Sequence, residues 1–350
     1  MSNNESLNIN IIKEFEKLVK YINNQIDINN NIKEKTANQF RLKNIKNSLS
    51  MIKKYNKELN NETIKEFKQF PGIGKKTIDR INEILINGFL KELEHFKDNT
   101  KEKSLEELES IVGVGRIKAL EFYNMGINNI KQLKKAIKDK KIKINEKILL
   151  GIKYYGKFFN NIPRNEIDEI NLLIEDYIND INNYYNYNND NKFIYEICGS
   201  YRREKPISGD IDILISKLDT PQDNQPNYLE IIINKLKEKH KLNNNQPLLI
   251  DDITDKNYET KYMGFGKYKD NPYRRIDIRF VDWNYYYSAL VYFTGSAELN
   301  QNMRKIAKKM GYKLSEYGLT NLKTEKEIPI KSESDIFKIL KIHYLHPRDR

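Results

Sequence analysis

Along the first 160 residues, apolar positions recur every three to four residues. The segment IIKEFEKLVKYI at 11–22 is typical, placing its apolar residues on one face of a helix. No strand pattern interrupts this stretch, which predicts a series of short amphipathic helices. From about residue 192 the period changes. KFIYEICGS, IDILIS and RRIDIRFVDW have the character of strands, and NYLEIIINKLKEKH between them has that of a helix. Helices return at NYYYSALVYF from 284, followed by a short C-terminal α/β segment ending in IHYLHPRDR. The pattern therefore predicts an α+β fold with a helical N-terminal half. The polar stretch KLDTPQDNQPN at 217–227 is expected to be a loop, and NNIPRNEIDEI at 160–170 a break. The asparagine tracts NNQIDINNN near the start and NNYYNYNNDN at 182–191 are also expected in loops.

At 350 residues and 41.6 kDa, the chain has room for two or more compact domains. It carries 61 Lys and Arg against 49 Asp and Glu, a formal charge of +12, which makes a polyanion the expected partner. The single cysteine, Cys198, excludes an intramolecular disulfide and a thiolate zinc cage. That composition points to an intracellular protein binding metal only through oxygen or nitrogen. No apolar run reaches the 18 or so residues of a membrane span, and MSNNESLNIN lacks the plan of a signal peptide, so a soluble protein without membrane association is expected.

An internal repeat lies in the helical half. FKQFPGIGKKTIDRINEIL at 67–85 and LESIVGVGRIKALEFYNMGI at 108–127 carry Gly-x-Gly pairs, Gly72 with Gly74 and Gly113 with Gly115. A helix stops at each pair, where the first glycine can take positive φ, and a second helix begins. The exposed amides and positive dipole end of that second helix suit a phosphate oxygen. Lys75 and Lys76 in the first copy, and Arg116 and Lys118 in the second, add charge there. Both copies have the form of helix-hairpin-helix motifs, which hold the sugar-phosphate backbone without reading sequence.

The segment CGSYRREKPISGDIDILIS at 198–216 places Asp210 and Asp212 two residues apart on a strand, hence on one face, with Ile211 and Ile213 turned to the core. In RRIDIRF, Asp277 shares a face with Arg275 and Arg279. Three aspartates on neighbouring strands can hold two divalent cations about 3.5–4 Å apart, an arrangement suited to in-line phosphoryl displacement. Hard oxygen ligands favour Mg²⁺. Gly199, Ser200, Arg202 and Arg203 precede the aspartates and offer amides, a hydroxyl and guanidinium groups to a triphosphate.

These residues, together with YFTGSAELNQNMR at 292–304, resemble the X-family DNA polymerases along nearly the whole chain. The resemblance implies a nucleotidyltransferase-type palm with a mainly antiparallel or mixed sheet and a small C-terminal α/β subdomain. The implied boundaries are a lyase-like DNA-binding domain at 1–96, a second hairpin subdomain at 97–150, the palm at 151–283 and a nucleotide-selection subdomain at 284–350. By the resemblance, Asp210 and Asp212 bind both Mg²⁺ ions, for which Mn²⁺ can substitute, and Asp277 binds the catalytic one beside the primer 3′-hydroxyl. Gly199, Ser200, Arg203 and Gly209 would hold the phosphates of a dNTP. Tyr292, Phe293 and Gly295 would pack on its sugar and base, with Asn300 beside them. Arg304, Tyr317 and Arg275 would contact DNA, as would both hairpins through Gly72, Gly74, Lys76, Gly113, Gly115 and Arg116. Phe40, Arg41 and Lys76 resemble the family's 5′-phosphate pocket.

The N-terminal domain departs from the family pattern. The lysine that forms a Schiff base with a 5′-deoxyribose phosphate is replaced by Arg80, and a guanidinium cannot serve as an amine nucleophile. The expectation is a monomeric polymerase that fills short gaps during repair, with weak or absent lyase activity, in the nucleus or a viral replication compartment. No segment before residue 10 would supply a BRCT domain. The alternatives are a template-independent terminal transferase, disfavoured because no long insertion precedes RRIDIRF, and a non-catalytic DNA-binding scaffold.

Overall fold

The computed structural model describes residues 7–28, 31–96, 100–158, 161–219, 225–254 and 258–350. It divides into two compact units, Met1–Glu106 and Glu107–Arg350.

The first unit contains α1 (Ile9–Ile28), α2 (Ile32–Lys54), α3 (Thr63–Phe67) and α4 (Lys75–Asn87). The helical period of the sequence is realised directly: Ile11, Phe15, Leu18 and Ile22 of α1 are all buried, against Ile45 and Ile52 of α2 and Ile81 and Ile84 of α4. Asn31 caps α2, its side chain accepting from the Lys33 amide at 3.0 Å. A buried hydrogen bond of 2.9 Å between the Ser48 and Thr77 hydroxyls joins α2 to α4. The boundary between the units falls in α5 (Thr100–Glu109).

The second unit opens with α6 (Arg116–Asn124), α7 (Ile130–Lys138) and α8 (Glu146–Tyr154). There follow β1 (Ile162–Pro163), α9 (Arg164–Tyr184), β2 (Phe193–Ile197), α10 (Gly199–Arg202), β3 (Ile207–Ser208) and β4 (Ile211–Lys217). Next come α11 (Tyr228–Leu236), β5 (Leu249–Asp252), β6 (Lys261–Gly266) and β7 (Arg274–Phe280). The chain ends with α12 (Tyr286–Thr294), α13 (Ala297–Lys309), β8 (Tyr312–Ser315), β9 (Gly318–Asn321), β10 (Glu327–Ile328) and α14 (Glu333–Ile339).

The main sheet has the order β2-β4-β7-β6-β5 and is mixed, with β4 and β7 parallel and every other pair antiparallel. One face packs on α9 and α11, so Ile211, Ile213, Ile215, Ile276 and Ile278 are buried against Ile170, Leu173, Ile232 and Ile233. Alternation along β4 and β7 sends the intervening aspartates to the opposite face. Arg274 at the start of β7 is locked to Glu166 of α9 by a buried ion pair of 2.6 Å. A smaller antiparallel sheet, β10-β9-β8, packs with α12, α13 and α14 around Val291, Met303, Leu319, Ile336 and Phe337. The fold is α+β, as the sequence pattern predicts.

Several expectations are corrected. The asparagine tracts are not all loop: Asn23 and Asn24 lie in α1, and Asn182, Asn183 and Tyr184 complete α9. Asn182 is buried because its amide is fully used, donating to the Phe193 carbonyl at 3.1 Å and accepting from the Phe193 amide at 2.8 Å. Residues 29–30 of the first tract lie outside the described residues. The helix expected over 227–240 stops at Leu236, its last core-facing position, and Lys237 turns to Asp252 and Tyr258. Lys217 is not in a loop but is the buried end of β4, with its ammonium over the rings of Tyr187 and Tyr228. The rest of the 217–227 stretch lies partly outside the described residues, which omit 220–224. Strand β7 ends at Phe280, and Val281 and Asp282 lead into a 3₁₀ turn.

Candidate active site

Parallel register sets Asp212 of β4 directly beside Asp277 of β7. Asp210, just before β4, completes the group, and a carboxylate oxygen from each residue lies within 4.8 Å of the others. Burial, followed by the charges of Asp210 and Asp277, pushes the Asp212 carboxyl up to about 7, against the opposing pull of Arg275 and Arg203. Burial likewise raises Asp277, although Arg275 works the other way. The Arg275 guanidinium donates to both Asp277 oxygens, at 2.6 Å and 2.9 Å from Nη2. A half-buried cluster of three hard oxygen donors in which Asp212 and Asp277 are held above the usual carboxylate range fits a divalent cation better than it fits three bare carboxylates.

Gly199 opens α10 with φ +60°, and a Cβ there would stand 2.6 Å from Asp212 Oδ2, so no side chain fits between the Gly-Ser turn and the carboxylate. The two arginines that follow have different fates. Arg203 donates to the Thr294 carbonyl at 2.6 Å and faces Gly295, whose Cβ position would be 3.2 Å from its Nη1. Arg202, expected as a phosphate ligand, is instead committed to structure. It forms a two-pronged pair with Glu333, both bonds 2.9 Å, and also donates to Thr294 and Glu196. Arg350, whose side chain is fully buried, also donates to Glu333 Oε1, at 2.8 Å. Burial alone would raise the Glu333 carboxyl, but hydrogen bonds from the two arginines hold it below the usual range.

The second hairpin and Asp210 share one cleft of about 570 Å³, lined by residues 109–115, Lys147 and Phe158 together with Gly209, Asp210, Met263 and Arg275. Gly113 has φ +91°, and α6 starts immediately after Gly115, as the repeat requires. Arg116 lies 3.6 Å from Glu109 and Lys118 2.5 Å from Glu121, so the charge of both is partly balanced within the protein. Gly151 was not singled out from sequence. A Cβ there would lie 2.0 Å from the Val112 carbonyl, so its absence lets α8 pack against the hairpin backbone. The signal was a glycine inside the apolar helical run KILLGIKY.

At the end of α12, the rings of Tyr292 and Phe293 meet edge to face at 4.9 Å. Asn300 donates to the Tyr292 carbonyl at 2.7 Å, and the Arg304 guanidinium lies over the Tyr292 ring at 4.9 Å. Gly295, with φ +73°, precedes a cis peptide to Ser296. Tyr317 is exposed and stands edge-on to Tyr285 at 6.3 Å. Ser200 is half-buried on α10.

In the first unit, Arg41, Gly72, Gly74, Lys75, Lys76 and Arg80 line one cleft of about 920 Å³. Gly72 has φ +91° and α4 starts after Gly74. Phe40, expected in this pocket, is 64% exposed and does not line it. Sequence reading missed Glu92, which accepts from Arg41 and from Arg80 Nε at 2.5 Å.

Comparison with known proteins follows this division of the chain. Residues 8–90 match a model described as helix-hairpin-helix domain, and 106–158 the fingers domain of DNA polymerase lambda. Residues 161–283 match the DNA polymerase beta palm, and 289–350 the DNA polymerase beta thumb. The chain is 26% identical to rat (Rattus norvegicus) DNA polymerase lambda over 98% of its length and 56% of that protein's. It is 28% identical to Arabidopsis thaliana DNA polymerase lambda over 83% of its length and 54% of that protein's. Identity to the DNA polymerase type-X family protein pol4 of Schizosaccharomyces pombe is 24%, over 83% of the chain and 56% of the relative. The chain thus spans about half the length of the curated relatives it matches. With family models following one another from residue 8 to residue 350 and the aspartate cluster at the heart of the palm match, the chain belongs to the X family of DNA polymerases.

Proposed function

We propose that the protein is a DNA-directed DNA polymerase that extends a primer 3′-hydroxyl with dNTPs in short gaps during repair. The observation that carries this reading is the convergence of Asp210, Asp212 and Asp277, with Asp210 at the edge of a cleft whose other wall is the second hairpin. Asp210 and Asp212 would hold two Mg²⁺ ions, with Asp277 sharing one of them, and Mn²⁺ would substitute. When bound, the ions polarise the phosphoryl oxygens and make the primer hydroxyl easier to deprotonate.

The chain's own residues do the rest. Gly199, Ser200, Arg203 and Gly209 bind the triphosphate; Arg203, anchored to the Thr294 carbonyl, links that grip to the Tyr292–Gly295 segment. Tyr292, Phe293 and Gly295 orient the sugar and base, with Asn300 fixing the backbone of this segment through the Tyr292 carbonyl. Arg304, Arg275 and Tyr317 contact the duplex. Gly72, Gly74 and Lys76 in one hairpin, and Gly113, Gly115 and Arg116 in the other, hold phosphates, and Arg41 with Lys76 receives a 5′-phosphate.

Lyase activity is weak or absent, because Arg80 cannot form a Schiff base and its guanidinium is paired with Glu92. The connection between β6 and β7 is only residues 267–273, which favours templated synthesis over terminal transfer. The working division is a hairpin domain at 1–96, a second at 97–150, a palm at 151–283 and a nucleotide-selection subdomain at 284–350. The enzyme acts as a monomer wherever DNA is replicated or repaired, in a nucleus or a viral replication compartment. No helix among the described residues is long and apolar enough to cross a membrane.

The test is single-nucleotide incorporation on a one-nucleotide gap compared with open primer-template and with template-free primer, with Mg²⁺ and with Mn²⁺. Templated, gap-stimulated incorporation is expected. Incorporation independent of template would assign terminal transfer, and DNA binding without incorporation would assign a scaffold.

A further inference from the structure

Half of the chain's surplus positive charge lies in thirteen residues. Between Lys131 and Lys143 stand seven lysines, at 131, 134, 135, 138, 140, 141 and 143, against Asp139 alone, a net +6 of the overall +12. All seven are exposed. On α7, Ile130, Leu133 and Ala136 are buried, while Lys131, Lys134, Lys135 and Lys138 stand at i, i+3, i+4 and i+7, one stripe on the outer face. At 1.5 Å per residue the stripe is about 10 Å long.

Inside the protein this stripe is unfavourable. Like charges three and four residues apart repel, and among the described residues none of the seven lysines has a carboxylate partner. The C-terminal end of a helix favours cations, which accounts for Lys135 and Lys138. It does not account for Lys131, which sits in the first turn at the positive end of the dipole, where no acidic residue offsets it.

The surroundings indicate which anion fits. Between α6 and α7 lies a cleft of about 720 Å³ whose rim carries Lys118, Lys135, Lys141 and Lys143. Helix α6 runs from the second hairpin at its N-terminus to this cleft, which its residues Lys118 and Phe122 line, so one short helix separates the lysine strip from the hairpin. No arginine occurs between Arg116 and Arg164. Lysine supplies a point charge without the planar fork that selects individual carboxylates, which suits a uniform backbone of phosphates better than a particular acidic peptide.

We propose that Lys131–Lys143 is a further contact for the duplex-DNA backbone, extending the grip of the second hairpin; this rests on the polymerase reading above. The test uses the full chain with Lys131, Lys134, Lys135 and Lys138 all changed to glutamine, binding gapped DNA with long flanking duplexes over a salt series. Each phosphate contact contributes about 0.9 to the slope of log K against log salt. The slope should therefore fall in magnitude by roughly three to four in the variant. Its melting temperature should be unchanged or higher, because repulsion has been removed, and a matching set of lysine-to-arginine changes should keep the wild-type slope. A glutamine variant with the wild-type slope overturns the strip alone. Wild-type protein that binds no gapped DNA overturns the polymerase reading itself. If the glutamine variant keeps its DNA slope yet loses binding to poly-glutamate that wild type shows, the strip serves an acidic protein and the proposal falls.

Discussion

Asp212 and Asp277 are cross-strand neighbours on the one parallel pair in the main sheet, so their side chains leave the same face of two adjacent strands. The geometry is fixed by backbone hydrogen bonding and does not depend on flexible loops. Changing one carboxylate to its amide should therefore leave the fold intact while removing a ligand. Asp277→Asn is expected to bind gapped DNA within about threefold of wild type and to lose about 10²–10³-fold in incorporation, a size typical of removing a group that acts on the reacting charge. Paired gel-shift and single-turnover assays would check this.

Stability should depend on pH through Asp212. Its carboxyl sits at about 7 in the folded protein, against an ordinary value near 4. Between those values the folded chain holds a proton that the unfolded chain has released. This group's contribution is thus greatest below about pH 4 and declines as pH rises to 7, by roughly 4 kcal/mol at most. In chelator, Asp212→Asn should melt above wild type at pH 8, with the gap closing towards pH 5. Added Mg²⁺ should raise the wild-type melting temperature more than that of the variant, and an equal rise in both would contradict the cation site.

Arg80 bears on lyase chemistry. Borohydride trapping on a 5′-deoxyribose phosphate substrate should give little adduct with wild type. Arg80→Lys alone restores an amine, but one facing Glu92, which would favour its protonated form. Arg80→Lys combined with Glu92→Gln should therefore trap more than either single change. Strong wild-type trapping abolished by Lys76→Ala would show that Lys76 takes the role instead.

Arg350 offers a test remote from the aspartates. Removing its guanidinium takes one of two arginines from the buried Glu333, for which breaking a buried pair typically costs about 3–5 kcal/mol. Glu333 keeps Arg202, so Arg350→Ala should cost somewhat less, about 2–3 kcal/mol in denaturant unfolding. A change below about 0.5 kcal/mol would mean that the Arg202 pair alone suffices.

The parts of the site legible in the sequence were those set by short-range periodicity. Alternation put Asp210 and Asp212 on one face, Ile211 and Ile213 on the other, and the Gly-x-Gly repeat marked both helix starts. What escaped depends on partners far away along the chain. Nothing near Arg202 reveals that Glu333, 131 residues on, consumes its guanidinium, and nothing near Arg41 reveals Glu92. An arginine beside a glycine-serine turn looks the same in sequence whether it faces a phosphate or an internal carboxylate. Asn182 was misplaced for a related reason: its polarity indicated a loop, but its amide replaces a backbone partner at the start of β2.

One hairpin belongs to each compact unit, Gly72 and Gly74 in the first and Gly113 and Gly115 in the second. A duplex engaged by both would be held bivalently, the second attachment forming at the high effective concentration set by the tether. Weakening either grip would then cost far more affinity than that grip supplies alone, and a substrate too short to reach both would be released quickly even though each unit still recognises it.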